Sequence, residues 1–333
     1  MTILITGGLG FIGHELAESF ENEKIIIIDN RRDDIGEFRE LCLRNGLKRK
    51  LTVLHKDILY FNLSPHRTEK LKDVDAIIHC AAQTAVTKSL ENPTNDFRTN
   101  AEGTFLICEL ARKLDSQLIY TSTNKVYGEN VNKIAIKEDP TRYEFVGGYQ
   151  IDETFPIDLT GHTPYGVSKL AGDLYVQDYA RTYGLKTVVF RMSCVTGSSQ
   201  TGTEDQGWVS HIVKNAVRGE PINIFGNGKQ VRDILYVDDL VDLFHLALSK
   251  NISGVFNIGG GRNNTISVLE LLKMLPETTL IFKDWRPMDQ KVYVSNINKA
   301  INVYGWSPKI SLVDGIKRLV SSENLIKNSV MLE

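Results

Sequence analysis

Tyr165 and Lys169 stand four residues apart in a stretch, 165–183, whose apolar residues recur at helical spacing. On a helix that spacing puts both side chains on one face. A phenol with an ordinary pKa of about 10 is a poor base at neutral pH, and an ammonium beside it favours the phenolate. A lowering of roughly three pH units corresponds to about 4 kcal/mol, within reach of two nearby cations in a partly desolvated site. Thr123 lies in Thr121-Ser122-Thr123-Asn124-Lys125-Val126-Tyr127-Gly128. Its hydroxyl is placed to donate to a substrate oxygen while Tyr165 takes or returns a proton. The chemistry these three offer is reversible oxidation of an alcohol. Y-x-x-x-K also occurs by chance, and its weight here comes from its position between strand-like runs at 118–121 and 187–190.

An alcohol oxidation needs an acceptor, and the N-terminal residues point to one. Gly7, Gly10 and Gly13 form G-x-x-G-x-x-G directly after an apolar run, Thr2–Thr6, and before a helical pattern carrying Phe11 and Ile12. Backbone without Cβ atoms lets a pyrophosphate approach, and the helix N-terminus favours its negative charge. The same glycines also suit a plain tight turn. Asp29 ends the second apolar run, KIIIID, where an acid would hold the adenosine ribose hydroxyls, with Asn30 next to it. A carboxylate there repels a 2′-phosphate, which favours NAD over NADP, although Arg31 and Arg32 follow closely. Asp57 and Ile58 fit the adenine edge, Ala81 and Ala82 are small enough to pass the cofactor, and the amide of Asn100 is expected to tie strands together. Lys169 is expected to hold the nicotinamide ribose as well.

The elements that must position these groups alternate. Further strand-like runs at 51–54 and 74–80, with helical patterns at 97–113 and 165–183, imply parallel βαβ units. The expected fold is α/β, a doubly wound parallel sheet of Rossmann type, with a smaller C-terminal substrate-binding α/β region. We divide the chain into a dinucleotide-binding domain over 1–190, with 235–258 returning to it, and a substrate region over 191–234 and 259–333. The aromatic and acidic stretch 130–161 suits a lid over a ligand, or a plain surface covering.

The 333 residues carry 39 Lys plus Arg against 41 Asp plus Glu, a formal net charge of −2. So nearly neutral a chain carries no global signature for nucleic acid or an anionic membrane. Cys42, Cys80, Cys108 and Cys194 are scattered without a C-x-x-C pair, which argues against a metal site and for a reducing compartment. No run approaches the roughly 20 apolar residues of a membrane span, and a cytoplasmic protein is expected.

Taken together these residues resemble the extended short-chain dehydrogenase/reductase family of NAD-dependent sugar epimerases and dehydratases, over nearly the whole chain. STNKVYG at 122–128, DQGWV at 205–209, GNGKQVRD at 226–233, GYQIDE at 148–153 and WSPK at 306–309 carry the resemblance. It implies a nucleotide-diphosphate sugar as substrate, with Asn124, Ser193, Gln206, Arg232, Arg286 and Asp289 binding it. Arg232 and Arg286 fall at its diphosphate, as bidentate guanidinium chemistry suits. The implied reaction is a closed redox cycle: a sugar hydroxyl is oxidised to a ketone and re-reduced on its other face, with the cofactor retained.

The dehydratases of the family carry an Asp-Glu pair after the threonine. Asn124 and Lys125 stand there instead and disfavour dehydration. The unusual stretches resemble those of epimerases acting at C2 of a CDP-linked 3,6-dideoxyhexose. FRMSCVTG at 190–197 departs from the FRHSSMYG of that group and puts the sugar in doubt. A UDP-sugar 4-epimerase, a nucleotide-sugar oxidoreductase and a non-catalytic NAD-binding regulator remain as alternatives. By analogy with the family, a homodimer or higher homo-oligomer is expected through the helices near 97–113 and 165–183.

Overall fold

The computed structural model describes residues 1–31, 51–60 and 71–330, so Arg32 and Cys42 lie outside the described residues. The chain folds as two compact units. The first comprises Met1–Thr123, Pro164–Arg191 and Val241–Phe256, and the second Asn124–Thr163, Met192–Leu240 and Asn257–Glu333.

The first unit is built on β1 (Thr2–Thr6), β2 (Lys24–Asp29), β3 (Leu51–His55), β4 (Ala76–His79) and β5 (Gln117–Thr123), all parallel. Two later strands, β8 (Thr187–Met192) and β12 (Gly254–Ile258), extend the sheet in the order β12-β8-β5-β4-β1-β2-β3. Order reverses between β1 and β4, which makes their carboxyl ends the place where a doubly wound sheet takes its ligand. Ile25, Ile26, Ile27 and Ile28 of β2 are all buried, as a strand covered on both faces requires.

The helices of this unit are α1 (Phe11–Ser19), α2 (Val86–Glu91), α3 (Pro93–Phe97), α4 (Gly103–Leu114) and α5 (Pro164–Tyr183). A single π-helical turn, Arg98–Glu102, joins α3 to α4 and holds Asn100. Ile107, Leu110 and Ala111 of α4 and Val176 and Tyr179 of α5 pack with Ile77, Leu118 and Tyr120 of the sheet in one apolar cluster.

The second unit carries a hairpin of β6 (Ile136–Glu138) and β7 (Tyr143–Phe145). β9 (Cys194–Thr196) runs parallel to β11 (Val231–Tyr236), which also pairs with β13 (Thr265–Ser267) and β15 (Val292–Tyr293). β10 (Ile222–Phe225) pairs with β14 (Leu280–Lys283). The break after Arg191 falls one residue from the expected one, but residues 124–163 lie outside the first unit. Residues 124–163 belong to the second unit because their main chain bonds there: Tyr143 N to Lys229 O at 2.9 Å and Ile151 N to Val294 O at 2.8 Å. The returning segment starts at Val241 rather than 235, since Tyr236 is still paired with Thr196 of β9. Stretch 130–161 is likewise tied down, with Asn130 Nδ2 donating to the carbonyls of Pro156 and Asp158 at 3.1 and 2.9 Å.

No helix among the described residues is long and apolar enough to cross a membrane. No group of three or more His, Cys, Asp or Glu among them is arranged to hold a metal ion.

His79 at the end of β4 shows what the sheet demands of a polar residue. It is fully buried, with Nδ1 2.6 Å from Thr6 Oγ1 and Nε2 3.1 Å from Thr104 Oγ1. Thr104 spends its own proton on Asn100 O at 2.6 Å, so it accepts from Nε2–H and Nδ1 is the acceptor. Burial, reinforced by Lys169, pushes the imidazole down to about 3. Between pH 6.5 and about 3 the unfolded chain binds a proton that the folded chain refuses, so stability is lost as pH falls through that window. At about 1.36 kcal/mol per pH unit, the gap is worth on the order of 5 kcal/mol. In chemical denaturation, His79→Gln should flatten the slope of unfolding free energy between pH 6 and about 4, while the remaining carboxylates keep theirs.

Candidate active site

The loop between β1 and α1 is shaped by what cannot fit. Gly7 takes φ +69°, and a Cβ there would lie 2.6 Å from Ala81 N. A Cβ on Gly13 would run into the Gly7 carbonyl oxygen, so the helix packs directly on the loop. Gly10 is the helix N-cap and offers no side chain, which leaves the first-turn amides of Phe11 and Ile12 without an intrahelical carbonyl or a capping group. A bare, uncapped helix end at the sheet's switch point fits a dinucleotide pyrophosphate.

Asp29 is buried at the end of β2. Its Oδ2 accepts from Leu9 N and its Oδ1 from Arg31 N, both at 3.0 Å, while Arg31 Nε lies 3.6 Å away. Two amides hold the carboxylate and leave lone pairs for hydroxyl donors. Asn30 donates to Asp57 Oδ2 at 3.1 Å, and Asp57 Oδ1 accepts from Leu59 N at 2.9 Å, fixing the turn that buries Ile58. Ala81 and Ala82 follow β4, with Ala81 in contact with the glycine loop. The residues present fit NAD: Gly7, Gly10, Phe11, Ile12 and Gly13 at the diphosphate, Asp29 and Asn30 at the adenosine ribose, Asp57 and Ile58 at the adenine.

Asn100 acts differently from expectation. Its amide ties no strands together; it binds the backbone after β4, accepting from Gln83 N and donating to Gln83 O, both at 2.9 Å. It also donates to Ser168 Oγ of α5 at 3.1 Å. The π turn places it there, since an ordinary helical turn would aim the residue elsewhere.

Thr123, Tyr165 and Lys169 are all buried in this unit. A hydrogen bond with Thr123 eases ionisation of the Tyr165 phenol, but burial is the larger effect and Asp96 adds to it, so the group is pushed up to about 12. Lys169 Nζ donates to Thr121 O at 2.6 Å and stands 4.2 Å from the Tyr120 ring centre. Burial pushes it down to about 8, against the charges of Asp173 and Asp96. The expected lowering of the phenol by Lys169 is thus not what the protein alone provides. The ammonium is turned toward a carbonyl, and desolvation dominates.

In the second unit Asp289 sits between two cations. Arg232 Nη2 donates to its Oδ1 at 2.8 Å, and Lys125 Nζ lies 3.5 Å from the same oxygen. Burial lowers the Lys125 ammonium, with Asp289 opposing, and the cations keep Asp289 below the usual carboxylate range despite its burial. Arg286 lies 4.0 Å over the Phe225 ring and donates from Nη2 to Glu204 O at 2.8 Å, with Asp205 3.6 Å away. Asn124 donates to Gln290 Oε1 at 3.4 Å. Ser193 gives its proton to Asp233, and Gln206 lies on an exposed loop where its amide N bonds Thr203 Oγ1 at 3.2 Å. Thr196, one of the departures in 190–197, is buried against Ser210 Oγ at 2.8 Å rather than aimed outward.

Several groups escaped the reading of the sequence. Asp173 is fully buried and takes two bonds of 3.0 Å from Arg191, with Ser122 Oγ at 2.6 Å. Asp96, Gln83 and Ser168 form a second buried set. Only the four-residue spacing of Asp96 from Asn100 hinted at it.

The chain matches the family described as "NAD dependent epimerase/dehydratase family" over residues 3–259. It is 39% identical over 341 residues to the CDP-paratose 2-epimerase of Salmonella typhi, covering 96% of this chain and 98% of that one. It is 33% identical to a putative UDP-glucose 4-epimerase of Methanocaldococcus jannaschii, covering 98% and 99%. Among solved structures it resembles the UDP-glucuronic acid 4-epimerase of Bacillus cereus in complex with UDP-glucuronic acid and NAD, with a TM-score of 0.81 and 27% identity, over 98% of this chain and all of that one (100%). By the family match over residues 3–259 and the 39% identity across 96% of its length, the chain belongs to the NAD-dependent epimerase/dehydratase family, and its cofactor is NAD.

Proposed function

We propose that this enzyme inverts C2 of a CDP-linked 3,6-dideoxyhexose, interconverting sugars of the CDP-paratose and CDP-tyvelose type. The carrying observation is the 39% identity to the Salmonella CDP-paratose 2-epimerase across 96% of the chain. When bound, NAD supplies the hydride acceptor and donor and a positive ring that favours the phenolate. Tyr165 takes the proton of the sugar hydroxyl and later returns it. Thr123, bonded to that phenol, donates to the same substrate oxygen. Lys169, anchored on Thr121 O, holds the nicotinamide ribose. Asn124 and Lys125 stand in place of the Asp-Glu pair of the dehydratases and supply no carboxylic acid, which disfavours elimination and leaves the keto sugar to be re-reduced.

In the second unit we assign the diphosphate to Arg232 and Arg286, with Asp289 holding Arg232 in place. Asn124, Ser193 and Gln206 complete the sugar-nucleotide contacts. A second reading, a UDP-sugar 4-epimerase, is favoured by the 33% identity to the Methanocaldococcus protein.

Association follows from an apolar face on the first unit. Phe97, Val167, Leu174 and Tyr175 are between 45% and 58% exposed, on α3 and α5. Phe105 of α4 packs edge-on against Tyr175 at 5.4 Å. A second copy of the chain, bringing the same face, covers these residues as a homodimer. Scattered thiols at Cys80, Cys108 and Cys194 suit the cytoplasm.

Proton NMR of the purified protein with CDP-paratose and no added cofactor should show the C2 epimer accumulating. Silence there, with a UDP-hexose interconverting at C4, would replace the first reading by the second. Tyr165→Phe should lose turnover by roughly a hundredfold or more while retaining bound NAD. Light scattering should give a dimer, converted to monomer by Leu174→Glu; a monomeric wild-type protein would refute the assignment of the apolar face.

A further inference from the structure

Asp96 is the most unusual charge in the first unit. It is fully buried at the end of α3, and the donors on it are neutral, Gln83 Nε2 at 2.7 Å and Ser168 Oγ, with Asn100 Nδ2 3.2 Å away and sharing its two protons with Gln83 O and Ser168 Oγ. The other buried carboxylate of the region, Asp173, is matched by the parallel bonds of Arg191. A carboxylate taken out of water with no cation hydrogen-bonded to it is expensive, with the more distant Lys169 offsetting part of the cost, and its field in a low-dielectric interior reaches far. Both of its oxygens accept, Oδ1 from Gln83 and Oδ2 from Ser168, and an asparagine would turn an NH2 toward one of those donors, so the site is built for the carboxylate.

The bonds run in a particular direction. Gln83 lies in the backbone strip after β4 that begins with Ala81 and Ala82, and its amide also bonds Ala85 at both N and O, at 2.6 and 2.9 Å. Ser168 lies between Tyr165 and Lys169 on α5 and spends its one proton on Asp96, its Oγ standing 3.1 Å from Tyr165 O. Ser89 of α2 fixes the other side of that turn, its Oγ accepting from Tyr165 N at 3.1 Å. One carboxylate thus joins the strip assigned to the cofactor to the helical turn that carries the acid–base pair.

We propose that Asp96 is a positioning residue of the epimerase reaction, clamping the Tyr165–Lys169 turn to the backbone after β4 and setting a negative charge beside both side chains. The proposal rests on the assignment of Tyr165 and Lys169 as the acid–base pair. Groups acting on that pair come from each element around it. Asp96 of α3 disfavours ionisation of Tyr165 and favours the charged form of Lys169. β4 brings His79, which stays neutral, and the Cys80 thiol after it, pushed up to about 12 by burial. β5 brings Thr123 and the Tyr120 ring. α5 itself brings Asp173, closed by Arg191, and α2 brings neutral Ser89. From α4, Thr104 bonds the Asn100 carbonyl, and Glu109 meets Tyr179 at the far end of α5.

The sign of the effect separates a charge role from a packing role. Removing the charge lets Tyr165 lose its proton at lower pH and lets Lys169 lose its proton at lower pH too, so both limbs of the kcat–pH profile move the same way. The test uses the NAD-loaded enzyme labelled with 13Cζ-tyrosine, Tyr165→Phe identifying the resonance. In Asp96→Asn the Tyr165 midpoint should fall by half a pH unit or more, both kinetic limbs should shift to acid, and NAD content and KM should stay within about twofold. Ser168→Ala, which cuts the clamp and keeps the charge, should lower kcat with both limbs in place. Asp96→Ser, smaller and unable to overpack the site, reads the same loss of charge should Asp96→Asn not fold. An unmoved midpoint in the charge-removing variants, or an equal displacement in Ser168→Ala, overturns the proposal. The NMR titration needs no turnover, so an incorrect sugar assignment leaves this test standing.

Discussion

An ammonium withdrawn from water must be held by oxygen, and the placement of Lys169 follows from that requirement. The side chain is 3% exposed and reaches the Thr121 carbonyl at 2.6 Å. A strand interior spends its carbonyls on the sheet ladder, so an accepting carbonyl is to be had where β5 runs out of partners. Thr123, two residues on, therefore stands beside the helix that Lys169 anchors. Behind the lysine, Asp173 and Asp96 supply the negative charge that keeps a desolvated ammonium ionised. Breaking a buried arrangement of this kind by removing one partner leaves the other uncompensated, which costs about 3–5 kcal/mol in measured cases. The catalytic helix, the end of β5 and the two carboxylates consequently form one electrostatic unit.

Around it the rest of the first unit is fixed by close approach. Gly7 leaves no room for a Cβ against Ala81, and Gly13 none against the Gly7 carbonyl. Gly172 does the same on α5, where a Cβ would meet the Tyr120 hydroxyl at 2.7 Å and Thr104 Oγ1 at 3.0 Å. These contacts bring the helices hard against the carboxyl ends of β1, β4 and β5, where doubly wound sheets do their chemistry. Asn100, aimed by a π turn, then couples the backbone after β4 to α5 through side-chain bonds.

The second unit solves a related problem with two cations on one carboxylate. Lys125 and Arg232 share Asp289, which leaves the group with a net positive charge, suited to an anionic ligand. Below it, Asp233 is fully buried and accepts from Ser193 and from Gly261 N at 3.1 Å, so it fixes the loop after β12 rather than binding anything mobile. Ser193 spends its proton on Asp233, so toward a sugar hydroxyl it acts as an acceptor.

What the sequence determined by itself is the part written in local periodicity and spacing. KIIIID declares a doubly covered strand, the glycine triplet declares a loop that nothing bulkier fits, and Y-x-x-x-K puts two side chains on one helix face. The doubly wound parallel class followed, because parallel strands joined by helices have few arrangements open to them. Tertiary structure decided what depends on partners distant in the chain. Residues 124–163 group with the second unit through bonds to residues such as Lys229 and Val294, which no local pattern announces. Asp96 and Asp173 read as ordinary surface acids until folding buries both. The ionisation of Tyr165 went the same way: spacing supplies a cation nearby, but burial depth and the direction of the Lys169 side chain set the balance. Desolvation and long-range Coulomb terms are properties of the assembled interior, and a one-dimensional pattern carries no record of them.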